Sequence, residues 1–407
     1  MKRVLPIVLC LALLLSGCGL RLEKVENVPR ETTGSLQPEP LPQPAPPPRP
    51  EPQPEPVPEP TEEELRLLRA QEILDAMTLE QKIGQLFFAR CPGPNGGGEG
   101  LMAQYQLGGY LLFKGDFQDA AGNWLTAEQL TARLESYADA AVIAPFFGVD
   151  EEGGTVTRAS QNPNLFPEKL RSPQKLFSEG GLEGISQDSK DKSEKLLQYG
   201  ITVNFAPVAD VTTQSGDFMY PRAFGQDAAA TAEYVETVVS AMEQAGMGAV
   251  LKHFPGYGSN RDTHTAAVVD ERPYAQFAES DFLPFQTGMT HKNAAVLVSH
   301  NIVNALDDTL PASLSPAAYR VLREELAFTG VALTDDLIMD AVSAYAADGR
   351  AAVMAIQAGA DMVVSSDFET EIAQVVLALE NDELTVERIE QSVLRVLQWK
   401  LLLGVIA

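Results

Sequence analysis

The chain has 407 residues, 45% of them hydrophobic, with 56 acidic against 30 basic side chains and a formal charge of −26. That balance favours solubility and argues against nucleic-acid binding, because no basic stripe offsets the acidic excess. It places no constraint on a neutral substrate.

Lys2 and Arg3 precede an apolar run at residues 4–15, a pattern that reads as a secretory signal peptide, since the run is too short to span a membrane. The sequence LSGC at 15–18 resembles a bacterial lipobox. That resemblance implies removal of residues 1–17, with Cys18 carrying lipid as the mature amino terminus. Cys10 would leave with the signal and Cys91 would stay alone, so no intrachain disulfide framework is expected, and Cys91 reads as a core or loop thiol. Residues 37–60 alternate proline with glutamate and glutamine. Such a stretch builds no core and favours an extended polyproline conformation, so residues 18–60 are expected to be a lipid-anchored linker. At about 3.1 Å per residue the proline-rich part reaches roughly 75 Å, enough to hold a domain clear of a membrane at the cell surface or in the periplasm.

Residues 61–407 follow as one catalytic domain. Thr61 with Glu64 and Thr78 with Gln81 are capping-box signatures that open two successive helices. Short apolar runs then recur at 85–89, 109–113, 145–149, 201–205, 249–251, 295–298, 331–334 and 361–364. They read as strands, although residues 86–88 equally suit an extension of the preceding helix. Amphipathic stretches at 228–244, 315–327 and 386–403 fill gaps between them. A parallel sheet closed by crossover helices, a (β/α)8 TIM-like barrel, is the economical α/β architecture.

The polar residues fall at the ends of these runs. Asp150 follows the third, Asp210 and Arg222 lie beyond the fourth, Lys252 and His253 end the fifth, His300 the sixth and Asp335 the seventh. Barrel enzymes assemble their sites from such carboxyl ends. From Lys252 a glycine-rich loop runs to Asp262 and His264, an acid and an imidazole two residues apart. Carboxylates and imidazoles on one rim suit either a metal-assisted hydrolase or a glycosidase. No His-x-His pair follows a strand, and glycoside hydrolysis uses all the residues, so neither metal nor cofactor is expected. Singly, Lys252 and Arg222 could be ion-pair formers and Asp210 a brace. His300 reads as a supporting histidine. The glycines at 93–100 lack the Gly-Lys-Ser/Thr closure of a phosphate loop.

The motifs DEEGGTVTR at 150–158, VNFAPVAD at 203–210, RAFG at 222–225, KHFPGYG at 252–258, DTH at 262–264 and LTDDLIM at 333–339 together resemble the β-N-acetylglucosaminidases of glycoside hydrolase family 3. The resemblance covers essentially the whole chain after the linker. It implies that Asp335 is the nucleophile, His264 the general acid/base and Asp262 its orienting partner, with sugar contacts from Asp150, Arg158, Arg222, Lys252 and His253. Residue chemistry alone leaves Asp335 and Asp336 open, because adjacent strand residues face opposite ways. The sequence departs from the family pattern at Glu151, Thr155 and Tyr257, and by one residue fewer between Gly258 and Asp262.

The expected activity is therefore retaining hydrolysis of terminal β-linked N-acetylglucosamine from peptidoglycan-derived or other amino-sugar glycans, by a monomer tethered to a membrane. A phosphorylase or a β-glucosidase-like hydrolase is the nearest alternative. A sugar-binding lipoprotein without catalysis is the non-enzymatic one.

Overall fold

The computed structural model describes residues 59–261, 268–346 and 349–407. The expected signal peptide, Cys18, nearly all of the linker, Asp262 and His264 lie outside the described residues.

Eight parallel strands form the centre: β1 (Phe87–Arg90), β2 (Gly109–Leu112), β3 (Phe146–Val149), β4 (Val203–Asn204), β5 (Gly248–Phe254), β6 (Ala294–Val298), β7 (Ala332–Thr334) and β8 (Val363–Ser365). They pair in chain order, with β8 returning to β1. A parallel bridge between Leu333 and Met362, with the Asp361 amide donating to the Ala332 carbonyl at 2.8 Å, joins β7 to β8 and completes the (β/α)8 ring. All eight predicted runs contain a strand. At the first, the helix Leu79–Gln85 takes Gln85 and the strand starts at Phe87.

The helices begin where their caps dictate. Thr61, Thr78 and Thr126 each accept the amide three residues on, while the residue at that position returns a bond to the threonine amide. This reciprocal box satisfies two backbone donors that a helix start leaves unpaired. The predicted helices at 228–244 and 386–403 appear as Ala228–Ala245 and Val386–Leu402. The stretch at 315–327 instead forms one short helix, Pro316–Arg320, that widens into a π turn at Val321–Glu325. Within that turn Arg323 donates to the carbonyls of Phe328 and Gly330 at 2.8 and 2.7 Å.

Strand side chains alternate between two surfaces. Phe87, Tyr110, Phe147, Leu251 and Val296 face outward into the large core shared with the helices, whereas Phe88, Leu111, Phe146, Val250, Leu297 and Leu333 fill the barrel. Gly148 is an inward position without a side chain, because a Cβ there would lie within 3 Å of the Phe88 and Phe205 rings. The barrel is thus a packed core below its upper rim.

The C-terminal helix closes the lower end. Trp399 is buried, packs on Phe146 with ring centroids 4.7 Å apart, and donates its indole N–H to the Asn293 carbonyl at 3.1 Å. Beside it, the buried Lys400 Nζ donates to Gln85 Oε1 and the Ala144 carbonyl at 2.6 and 2.7 Å. Burial pushes its pKa well down. Replacing Trp399 with Ala should cost roughly 3–5 kcal/mol of stability, the usual range for losing a buried large aromatic. Denaturant titration monitored by circular dichroism checks this. A loss below about 1 kcal/mol, the range of a tolerated substitution, would show that the indole does not hold the lower end closed.

Candidate active site

The alternation that fills the barrel also aims the rim. Two residues beyond the inward Phe88, Leu111, Gly148, Val250 and Leu333 stand Arg90, Phe113, Asp150, Lys252 and Asp335, and all five line one cavity of about 380 Å3. That volume is at the lower end of the roughly 300–1,000 Å3 typical of small-molecule sites, a size for one sugar unit. Arg158, Arg222 and His253 line it too. Every predicted site residue that lies within the described part therefore meets the same cavity.

Its charged wall is a chain of ion pairs. Lys252 Nζ lies 2.6 Å from Asp150 Oδ1 and 2.7 Å from Glu152 Oε1. Arg222 grips Glu152 with both edges of its fork, Nε at 3.0 Å and Nη2 at 2.7 Å. Nη2 also donates to His253 Nε2 at 3.3 Å, and His253 Nδ1 donates in turn to Asp210 Oδ2 at 2.8 Å. Asp210 further accepts the Tyr257 amide at 2.8 Å, so it holds both the ring and the following turn. Arg158 closes the opposite edge, with Nη2 3.9 Å from Asp150 Oδ2.

Burial acts against the charges of Glu152, Lys252 and Arg222, and pairing outweighs it. Desolvation would raise the Glu152 carboxyl, but Lys252 and Arg222 hold it well below the usual carboxylate range. Desolvation would likewise lower Lys252, yet Asp150 and Glu152 raise it. These three groups therefore keep their charges at neutral pH.

The adjacent aspartates separate by their partners. Asp336 accepts from the Ser366 amide at 3.0 Å, from the Ser366 hydroxyl and from the Ile338 amide at 3.3 Å. Burial raises its carboxyl above the ordinary range. It ties the end of β7 to the end of β8. Asp335 shares the parity of the inward Leu333, and its Oδ1 accepts the Asp336 amide at 2.9 Å. The buried His300 supports the same turn: Nε2 donates to the Asp336 carbonyl at 3.0 Å while Nδ1 faces Ser313 Oγ at 2.7 Å.

Lys252 and His253 lie inside β5 rather than past its end. The pairing with β6 shifts register between Leu251 and Phe254. Such a bulge re-aims side chains, which accounts for two successive residues reaching one cavity. Beyond it, Arg272 ties Gly256 to Asp270 and Asp281, on the described segments either side of the Asp-Thr-His sequence. Its guanidinium meets Asp270 at 2.8 Å, Asp281 at 2.9 Å and the Gly256 carbonyl at 3.1 Å.

Glu152, Arg90, Phe113 and Arg272 are absent from the sequence-derived site. Glu152 carried a usable signal, standing two residues after Asp150. Glu151, between them, turns away and accepts the amides of Arg158 and Ala159 at 3.0 and 2.7 Å, bracing the loop. Arg90 lies one residue beyond the predicted first strand. Among the described residues no group of three or more His, Cys, Asp or Glu side chains is arranged to hold a metal, and no helix is long and apolar enough to cross a membrane.

A parallel barrel whose upper rim sets an inward carboxylate among cations around a cavity for one sugar has the architecture of a glycoside hydrolase. The chain belongs to glycosyl hydrolase family 3, whose N-terminal domain it matches over residues 78–399. It is 32% identical to the beta-hexosaminidase LpqI of Mycobacterium tuberculosis over 263 residues, covering 62% of this chain and 67% of that protein. The solved M. tuberculosis LpqI structure aligns with a TM-score of 0.72 at 27% identity, over 80% of this chain and 95% of that one. A family 3 beta-N-acetylglucosaminidase from Paenibacillus sp. str. FPU-7 aligns at 0.74 with 28% identity, covering 82% of this chain. The present chain spans 64% of that longer protein.

Replacing Glu152 with Gln should destabilise the protein by roughly 3–5 kcal/mol at pH 7, because Lys252 and Arg222 remain charged without their shared carboxylate. A carboxyl whose folded pKa is depressed stabilises above its ordinary value of 4.5 and loses that contribution as pH falls. The gap between parent and variant should therefore narrow below pH 4.5 in urea titrations. A gap constant from pH 7 to 3.5 would show that Glu152 is not held as a paired carboxylate.

Proposed function

We propose that this chain is a retaining β-N-acetylglucosaminidase that releases terminal β-linked N-acetylglucosamine. The observation that carries the reading is Asp335, at the inward end of β7, lining a cavity for one sugar together with Asp150, Lys252 and Arg222. The similarity to proteins named beta-hexosaminidase and beta-N-acetylglucosaminidase supports an amino sugar as the substrate.

In the first step the Asp335 carboxylate attacks the anomeric carbon. The bond to the aglycone oxygen breaks, and that oxygen takes a proton from His264. In the second step His264 accepts a proton from water, water attacks the same carbon, and Asp335 leaves as a carboxylate. Two inversions return the original configuration. Asp262 orients the imidazole. The assignment of Asp262 and His264 rests on the Asp-Thr-His sequence. Asp150 accepts hydrogen bonds from sugar hydroxyls, while Lys252, Arg158 and Arg222 donate to hydroxyl or acetamide oxygens. His253 completes the wall between Arg222 and Asp210.

The lipobox-like LSGC sequence and the proline-rich stretch behind it support attachment through Cys18. The enzyme would then act as a tethered monomer on peptidoglycan-derived glycans at the cell surface or in the periplasm. Cys18→Ser should shift it from the membrane to the soluble fraction and abolish lipid labelling. Unchanged labelling would remove the anchor from the account.

The activity is tested with 4-nitrophenyl β-N-acetylglucosaminide. Proton NMR should show β-N-acetylglucosamine as the first product, with the same product when phosphate is added. No turnover by the parent protein would support a binding protein, and a glycosyl phosphate product would support a phosphorylase. General acid catalysis is typically worth about 10²–10⁴-fold, and a nitrophenolate needs less protonation than a sugar alkoxide. His264→Ala should therefore slow single-turnover glycosylation strongly with a disaccharide and less with the aryl glycoside. Equal losses on both would mean that His264 positions substrate and another group supplies the proton.

A further inference from the structure

Behind the end of β8 lies a buried carboxyl that the chemistry described above does not use. Ser365, the last residue of that strand, has the outward parity of Val363 and so faces the layer of helices. The next residue, Ser366, turns back and donates to Asp336, whose own amide donates to Asp335 Oδ1. On the helix side Ser365 meets Glu371, in the first turn of the helix Phe368–Glu380. Glu371 is 4% exposed and Ser365 1%. Ser365 Oγ and Glu371 Oε2 are both buried without a hydrogen-bond partner.

Among the described residues the charged groups that act on Glu371 are Asp336 and Asp367, both acidic. The others on its helix and on the elements packed against it are engaged elsewhere: Lys82 with Glu390 at 2.6 Å, Arg350 with Glu383, and Glu369 with the Tyr105 hydroxyl at 3.1 Å. Glu152 is as deeply buried and stays charged because Lys252 and Arg222 grip it. Glu371 has no such partner. A carboxyl removed from water without a cation is held neutral, because desolvation penalises the charged form. Burial pushes this one up to about 8, with Ser365 opposing the rise and Asp336 and Asp367 adding to it.

Building on the glycosidase reading above, we propose that Glu371 is a positioning residue for Asp335: as a neutral acid it backs the Ser365–Ser366 end of β8, and its ionisation disturbs the turn that carries the nucleophile. The path is short. Loss of the Glu371 proton puts an unpaired negative charge behind Ser365, within electrostatic reach of the buried Asp336. Two buried carboxylates without a cation between them repel each other. The charged form also draws hydrogen-bond donors toward itself, and the serines at this strand end are the donors at hand. Either change loosens the grip of Ser366 on Asp336, and Asp335 moves with the turn that it shares with Asp336.

The test follows kcat/KM against pH for 2,4-dinitrophenyl β-N-acetylglucosaminide, whose leaving group departs without a proton from His264. The parent should lose about tenfold between pH 7 and pH 9, the change in the neutral fraction of a group that titrates near 8. Glu371→Gln keeps the shape of the neutral acid and cannot ionise, so it should cut that loss to less than about twofold. Stability gives a second readout that needs no substrate. The carboxyl ionises near 4.5 when unfolded and near 8 when folded, so the parent loses stability as pH rises between those values and levels off above them. In urea titrations the margin of Glu371→Gln over the parent should therefore widen from pH 4.5 to pH 8. A constant margin would show that Glu371 is charged in the fold and would overturn the proposal. An equal loss of activity between pH 7 and pH 9 in both proteins would overturn it too. Absence of turnover by the parent at every pH would overturn the glycosidase reading, and the positioning role with it.

Discussion

Lys252 and Arg222 both reach into one cavity wall, where two buried cations would repel each other if nothing stood between them. The Glu152 carboxylate stands there, 2.7 Å from each. Its position makes the rest of the wall possible. Lys252 is free to extend its second contact to Asp150, and Arg222 can spend its remaining N–H on His253, which Asp210 fixes from behind. Removing water from such charges costs several kcal/mol per ion, so the arrangement persists only because each charge has a close opposite partner. The result is a rigid polar face presented to whatever enters the cavity.

That face lies above a barrel whose interior is closed to ligands. Phe88, Phe146, Phe205 and Leu333 fill the interior, and Trp399 seals it from below. Among the described residues, the cavity is lined by the one layer in which the inward positions turn from apolar to charged. The same alternation distinguishes the two adjacent aspartates. Asp335 continues the inward row of Leu333, whereas Asp336 is consumed by Ser366 and by the turn that His300 supports.

Much of this was legible from residues alone, and the reason is physical. Strands buried on both faces must be apolar throughout, so the eight runs stand out against amphipathic helices, and the first polar residue after each run marks the rim. The ends were less legible. Arg90 and the pair Lys252–His253 belong to strands that continue past their apolar part, β1 because Arg90 still pairs with Leu111 of β2, and β5 because ion pairing and a bulge carry the backbone through Lys252 and His253. Glu152 was hidden beside Glu151, since sequence does not tell a carboxylate that bridges two cations from one that braces a loop. Arg272 joins Gly256, Asp270 and Asp281 across a stretch of chain, and no local pattern announces such a clamp. The choice between Asp335 and Asp336 needed to know which parity faces inward, which only the assembled barrel supplies.

In the mechanism proposed above, Asp335 carries the sugar between the two steps. A 2-deoxy-2-fluoro or 5-fluoro glycosyl substrate with a good leaving group should slow the second step and trap that intermediate. Digestion and mass spectrometry of the labelled protein should then find one sugar on Asp335, and no label should form in Asp335→Asn. A sugar on Asp336 or Asp150, or full turnover with no trapped species and inverted product, would contradict the account.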